Sequence, residues 1–469
     1  MRTSWTGLKP TVITVMAVVV AFATLAARPM SAQDGTGDAG VTFTRDIAPI
    51  LQRSCVKCHR PNGVAPMSLV EYDDVQPYAR QIMRRTGIRD RMGTMPPWYV
   101  EKDIGIQHFK DDPSLTDLEV AAIAQWARGG TPMGDPAHMP PALEFSDEAI
   151  WTLGEPDLVV STQEFLVKGD APDWWGDITS IPTGLTEDRY VASVEIREIN
   201  DVRENRDSER QTVGGLYVFH HMVWSTRVLD DPDVRPVGWP VHEVGRNPDI
   251  FDDEGGQLLK AGSSVVSGST HLHSNGSDTR ARLEIGFRFH PRDYEPKYRS
   301  AGYVLANGSD IDIEAGKKDQ ELHAYTVLQQ HTKIVTFEPH LHAPGDRMCL
   351  EAIWGFNVET ISCVGYDHNW VRGYAFADNY QPLLPKGTVL HITGYMDNTE
   401  SNRNIADARN WQGSGNRSVA NMFIDLGMRL ALTDQQFQAE MAKRRENLDL
   451  GVNDHVIGCP LCMVIPGGR

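Results

Sequence analysis

After its first thirty or so residues, this chain has no apolar run approaching the roughly 20 residues that cross a bilayer. It also lacks any run rich in Lys or Arg. Its 45 Lys and Arg stand against 63 Asp and Glu, a formal net charge of −18, which disfavours nucleic acid and anionic membrane as partners. Gly-x-Ser-x-Gly and Gly-x-x-x-x-Gly-Lys-Ser/Thr are both absent, removing the nucleophile elbow and the phosphate loop. No repeat of short period occurs. Cysteine is scarce, six in 469 residues, but every one falls into a pair by spacing.

Arg2 and Lys9 precede an apolar stretch over residues 12–25, and small residues follow at Ser31-Ala32. This is the pattern of a secretory signal peptide over residues 1–32, cleaved after Ala32. The expected address is a bacterial periplasm or the exterior, with no membrane insertion after cleavage. About 437 residues then remain, which suggests three domains.

Cys55-Val56-Lys57-Cys58-His59 has the spacing at which two thiols attach a c-type haem while the next His ligates its iron. The surrounding sequence, residues 40–135, reads as a small all-α cytochrome c domain. Ile47, Ile50 and Leu51 form one stripe, Thr116-x-x-Glu119 is a capping box opening a helix through Ile123 and Trp126, and Gly129-Gly130 ends it. Met95-Pro96-Pro97-Trp98 can present Met95 as the second axial ligand, with Met92 as its competitor. Cys349 and Cys363 flank Gly355-Phe356-Asn357 in strand-like runs, predicting a cross-hairpin disulfide. Cys459-Pro460-Leu461-Cys462 lacks a following His and reads as a local disulfide, with a metal or redox role as the alternative.

After Trp151 the hydrophobic period changes to 2. Leu283, Ile285, Phe287 and Phe289 alternate with polar or small residues, and Tyr190, Ala192, Val194 and Ile196 repeat the pattern. The expectation is two all-β antiparallel sandwich domains, jelly-roll-like, over residues 150–315 and 316–432, divided near Ala315-Gly316-Lys317-Lys318. Over 433–469 a short helix capped by Gln436 carries Phe437 and Met441 on one face, ahead of the Cys459/Cys462 tail.

Sixteen histidines are present, and the informative ones lie beside strand patterns: His220-His221, His271-Leu272-His273 and His340-Leu341-His342. Residues two apart on a strand share a face, so His340 and His342 can grip one metal. Adjacent His220 and His221 point to opposite faces of an ideal strand. Shared ligation by that pair therefore demands a bulge or a strand end. Imidazole suits zinc, copper, iron or nickel, and a thioether tilts the choice to copper.

Val218-Phe219-His220-His221-Met222-Val223 resembles the His-His-Met motif of the copper type II, ascorbate-dependent monooxygenases, the group of peptidylglycine α-hydroxylating monooxygenase and dopamine β-monooxygenase. His271 before Asn275-Gly276, then Pro339-His340-Leu341-His342, then Asn421-Met422-Phe423 follow in that family's order. The chain is more similar still to bacterial members carrying an N-terminal cytochrome, through Arg45-Asp46-Ile47-Ala48-Pro49-Ile50-Leu51, Met95-Pro96-Pro97-Trp98, Gly154-Glu155-Pro156-Asp157 and Tyr366-Asp367-His368-Asn369-Trp370. The resemblance covers residues 42–426.

The resemblance implies two copper ions. His220, His221 and His271 would hold an electron-storing copper, with His273 standing beside His271 as an extra candidate. His340, His342 and Met422 would hold the copper where O2 reacts, with Met396 and Met428 as neighbouring thioethers. Hydroxylation of a C–H bond of a small organic or peptide-like substrate follows, with electrons entering through the haem held by Cys55, Cys58, His59 and Met95, and with an external donor behind it. Two rivals remain: a haem and copper electron-transfer protein without organic substrate, and a cupin-like mononuclear metal oxygenase. The second needs a Glu beside each His pair, and Glu284 and Glu351 are the nearest.

Overall fold

The computed structural model describes residues 40–61, 63, 65–143, 151–202, 216–301, 304–415 and 420–462. The expected signal segment lies outside them. Antiparallel sheet dominates and helices are few. Among the described residues, no helix is long and apolar enough to cross a membrane.

The helical region begins with a π-helical turn, Phe43–Ile47, that runs into α1, Ala48–Ser54. Helix α2 spans Ala79–Thr86 and α3 spans Asp117–Arg128. α3 starts where the sequence places it, because the Thr116 and Glu119 side chains each meet the other residue's backbone N–H. Phe43, Ile47, Leu51, Ile82, Ile123 and Trp126 share one core. The expectation of an all-α unit over 40–135 needs correction, since strand β1, Val100–Gly105, leaves it to pair with Asn357–Gly365 at the edge of a distant sheet. The cause is apolar burial: Trp98, Tyr99 and Val100 pack in the same core as Tyr374 and Phe376.

The next stretch holds β2 Leu158–Ser161, β3 Trp174–Gly176, β4 Arg189–Asn200, β5 Phe219–Val228, β6 His242–Glu243, β7 Ser263–Leu272 and β8 Thr279–Phe289. Strands β4, β8 and β2 belong to one antiparallel sheet, while β3, β7 and β5, with β6 on β5, belong to another. Val194 and Phe287 from the first share a core with Trp224 and Val265 from the second, so the two sheets pack face to face. Leu283, Ile285 and Phe287 are fully buried, as their alternation requires. In β4 the alternation is displaced. Arg288 pairs with Ser193 but Phe289 with Val191, leaving Ala192 as an extra residue. That bulge turns Val191 inward in place of Tyr190 and Ala192.

The chain crosses to the second half ahead of the 315–318 turn. Arg299–Ser300 already pairs with Arg429–Leu432, and Leu305–Ala306 pairs with Phe423–Asp425. Tyr298, Leu305, Ile311 and Ile313 bury their side chains there, which fixes the crossing. This half contains β9 Gln320–Val327, β10 Pro339–Leu341, β11 Gly345–Trp354, β12 Asn357–Gly365, β13 Val389–Met396 and β14 Phe423–Asp425. One sheet runs β1-β12-β11-β13-β9, and β10 pairs with β14 apart from it.

The β11–β12 hairpin sets Trp354 opposite Asn357 and Cys349 opposite Cys363, and those two cysteines form a disulfide. Helix α4, Asp434–Asn447, opens with a Thr433–Gln436 capping box. Phe437 and Met441 pack with Leu383, Leu430 and the second disulfide, Cys459–Cys462. Phe437 is fully buried and its ring stacks on His331 at 4.1 Å. Phe437→Ala is therefore expected to cost about 3–5 kcal/mol in denaturant unfolding. A loss below about 1 kcal/mol would mean that α4 does not help hold this half together.

Candidate metal centre

Half-buried Glu198 on β4 accepts the backbone N–H groups of Val218 at 3.0 Å and Phe219 at 2.9 Å, fixing the chain where it enters β5. Register then breaks. His221 stands opposite His271, but the next pair is Phe219 with Leu272, so His220 is an extra residue. This bulge is the device that two adjacent histidines need in order to face one point. Their Nδ1 atoms lie 3.5 Å apart, close to the roughly 3.3 Å between two tetrahedral ligands held at about 2.0–2.1 Å from one ion.

His271 completes a group in which one ligand atom from each of His220, His221 and His271 lies within 4.8 Å of the others. The His271 Nε2–H donates to Asp173 Oδ2 at 3.0 Å, and the Trp175 ring stacks on its imidazole at 4.2 Å. A carboxylate on the far nitrogen orients a ligand imidazole and raises its basicity. His273 lies outside that group, with its ring 5.2 Å from His220 and its backbone N–H donating to Val218 O. The geometry thus favours His271 of the two.

The second pair sits on β10. His340 is opposite Ile424 and Leu341 opposite Phe423; the pairing ends there, with His342 and Met422 each one residue beyond the last pair. Met396 is buried in the apolar core of this half and Met428 packs against two cores. The His340 and His342 rings are 5.4 Å apart. His342 Nδ1–H donates to Ala420 O at 2.8 Å, and His340 Nδ1 is hydrogen-bonded to Glu243 on β6. In both rings the opposite nitrogen is the one presented to a ligand.

These two groups abut. The rings of His221 and His340 are 6.3 Å apart. His368, which the ligand assignment from sequence omitted, lies between them, 4.6 Å from His220 and 6.2 Å from His342. A lone His carries no ligand spacing, so only its place in the Tyr366–Trp370 segment could have drawn notice. Glu243 was missed because its partner is 97 positions away. The glutamates of the cupin-like reading are engaged elsewhere, Glu284 with Arg197 and Arg282, and Glu351 with His391.

Burial holds several of these imidazoles neutral. It lowers His221 to about 2, His368 to about 3 and His342 to about 4, and neighbouring rings add to the effect. His340 differs: burial works against its charge, but Glu243 outweighs it and raises the pKa. Behind the rings, buried Arg246 bonds Asp249 and, across the halves, Glu338 Oε2 at 2.6 Å. Burial pushes Glu338 up to about 7 despite that cation.

At the haem-type motif, Cys55 is buried, Cys58 is half-buried, and neither forms a disulfide. Burial pushes the Cys55 thiol up to about 12. His59 Nδ1–H donates to Met67 O at 3.2 Å, which orients the ring. Met95 is half-buried, and a cavity of about 30 Å³ beside it is lined by Thr86, Trp98 and Leu115 but by no residue of the motif. Exposed Met92 instead accepts a hydrogen bond from Asn404 Nδ2 at 3.5 Å. Half-buried Arg372 is electrostatically coupled to Cys58, gives one long bond from Nη1 to Gly245 O at 3.4 Å, and leaves Nε without a hydrogen-bond partner.

Comparison with protein-family models and with curated proteins gives no match.

The depressed imidazoles set a pH dependence. In the unfolded chain they protonate below about pH 6.5, whereas in the folded chain they stay neutral to lower pH. Folded protein then binds fewer protons, so metal-free stability is full above about pH 6.5 and falls as the pH drops towards 4. His340 opposes this trend as a single ring. Denaturant midpoints of metal-free protein from pH 8 to 5 should fall with acidity; a midpoint that rises would contradict neutral rings.

Proposed function

We propose that this chain is a copper-dependent monooxygenase that hydroxylates a C–H bond of a small organic or peptide-like substrate, with electrons entering through a covalently attached c-type haem. The observation that carries the reading is the β5 bulge, which turns His220 and His221 towards His271 beside the His340 and His342 pair. Imidazoles with one thioether suit copper better than zinc or calcium. The donor atoms fit an ion: the Nδ1 atoms of His220 and His221 lie 3.5 Å apart, and one ligand atom from each comes within 4.8 Å of one from His271. Copper held there supplies O2 activation and one-electron storage.

The chain's own residues perform the remaining work. Asp173, Glu243 and the Ala420 carbonyl fix ring orientations, and neutral His221 and His342 need no deprotonation before ligation. Met422, next to Phe423 at the end of the β10–β14 pairing, would supply the soft ligand that favours the reduced ion. At the other end, unpaired thiols at Cys55 and Cys58, a tethered His59 and the orphaned Nε of Arg372 fit a haem with an acidic substituent. Met95 would be its second axial ligand. Two disulfides suit the oxidising periplasm in which such haem is attached.

Metal analysis of copper-reconstituted protein tests the reading. Two coppers per covalent haem are expected, falling to one in Met422→Ala, with the haem stain on a denaturing gel lost only in Cys58→Ala. One zinc or non-haem iron with no copper retained would overturn it.

A further inference from the structure

The sheet β1-β12-β11-β13-β9 turns Leu322, Ala324, Leu350, Leu390 and Ile392 into the core of its half. Alternation therefore sends His323, Glu351, His391 and Thr393 to the opposite, outer face. Register brings these residues together: His323, on the terminal strand β9, stands opposite Thr393 on β13, and His391 stands opposite Tyr325 on one side and Glu351 on the other. Their polar atoms converge. His323 Nδ1 and His391 Nε2 lie 3.0 Å apart, and Thr393 Oγ1 is 3.5 Å from the first and 3.3 Å from the second.

The protons decide what this triangle needs. His391 Nδ1–H donates to Glu351 Oε2 at 2.7 Å, which leaves Nε2 of the neutral ring as a lone pair facing His323. The Glu321 carboxylate, 3.7 Å from His323 Nε2, favours the proton on that nitrogen, so His323 Nδ1 presents a lone pair as well. Only the Thr393 hydroxyl hydrogen remains, and it serves one nitrogen at a time. A cation between the two rings removes the conflict. The three separations bracket the roughly 3.3 Å edge of a tetrahedron of ligands held at about 2.0–2.1 Å from one ion. Tyr325 lies flat on the His391 ring at 4.2 Å and walls one side, while the His323 side chain is 43% exposed and leaves the remaining position to water.

We infer that His323, His391 and Thr393 form a separate metal site on the outer face of this sheet, taking one zinc ion with water in its open position. Two imidazoles and an oxygen without sulfur suit zinc. Glu351 is the positioning residue, since a carboxylate on the far nitrogen fixes a ligand ring and raises its basicity. The site shares no residue with the proposed copper centre and stands or falls independently of it. Its two histidines are 68 positions apart, which is why spacing gave no sign of it.

The test is equilibrium dialysis of the full chain against zinc, with bound ions counted per chain. A site open to water exchanges its ion and empties on desalting, so the count is made at equilibrium. His323→Ala, at an exposed position, should bind one zinc fewer than the unaltered chain, and His391→Ala likewise. Glu351→Gln should keep the count and weaken that one ion about 10–100-fold. In crystals of the unaltered protein grown with zinc, anomalous diffraction at the zinc edge should place a peak among His323 Nδ1, His391 Nε2 and Thr393 Oγ1. An undiminished count in His323→Ala, or no peak at that point, overturns the inference and means that the facing nitrogens share a proton instead.

Discussion

The buried guanidinium of Arg246 is the interaction on which the rest depends. It is bonded to Asp249 in its own half and to Glu338 in the other; Glu338 is fully buried, and the Arg246 and Asp249 side chains are only 7% and 13% exposed. A lone charge at that depth is costly, and removing one partner of such a group typically costs about 3–5 kcal/mol. The halves are thus held in one relative placement by electrostatics that tolerates little sliding. Glu338 leads directly into Pro339 and His340, and Glu243, three residues before Arg246, holds His340. The clamp that joins the halves therefore also aims the second group of imidazoles at the first.

Around that clamp, backbone irregularity does what regular strands cannot. A straight β5 would send His220 and His221 to opposite faces; the bulge, held by Glu198 beneath Val218 and Phe219, brings both to His271. The loop after β12 adds His368 from the other half and carries Arg372 towards Cys58. One short segment thus sets His368 beside the other imidazoles and brings Arg372 within electrostatic reach of Cys58. Strand β1, which continues from Met95 and Trp98 into the C-terminal sheet, links the same two regions a second way.

Much of this was legible in the sequence because it depends on local spacing. Both capping boxes and the period-2 strands follow from residues a few positions apart, and the cross-hairpin cysteines from one hairpin 14 positions across. The histidine pairs were legible for the same reason, and the need for a bulge at His220 could be stated before any coordinates. What escaped depends on contacts between distant segments. His368 and Glu243 have no spacing signature, β1 left its helical neighbourhood because Trp98 and Tyr99 are buried elsewhere, and the crossing near Tyr298 was set by burial rather than by the Gly-Lys-Lys turn. The bulge at Ala192 shifted an alternation that looked regular.

The central claim is that a strand irregularity converts two neighbouring histidines into co-ligands of one ion beside a second. Anomalous diffraction at the copper absorption edge, on crystals grown with the metal, tests it most directly. The account predicts one peak among His220, His221 and His271 and a second beside His340, His342 and Met422. Peaks confined to other surfaces, with none at either group of imidazoles, would contradict it.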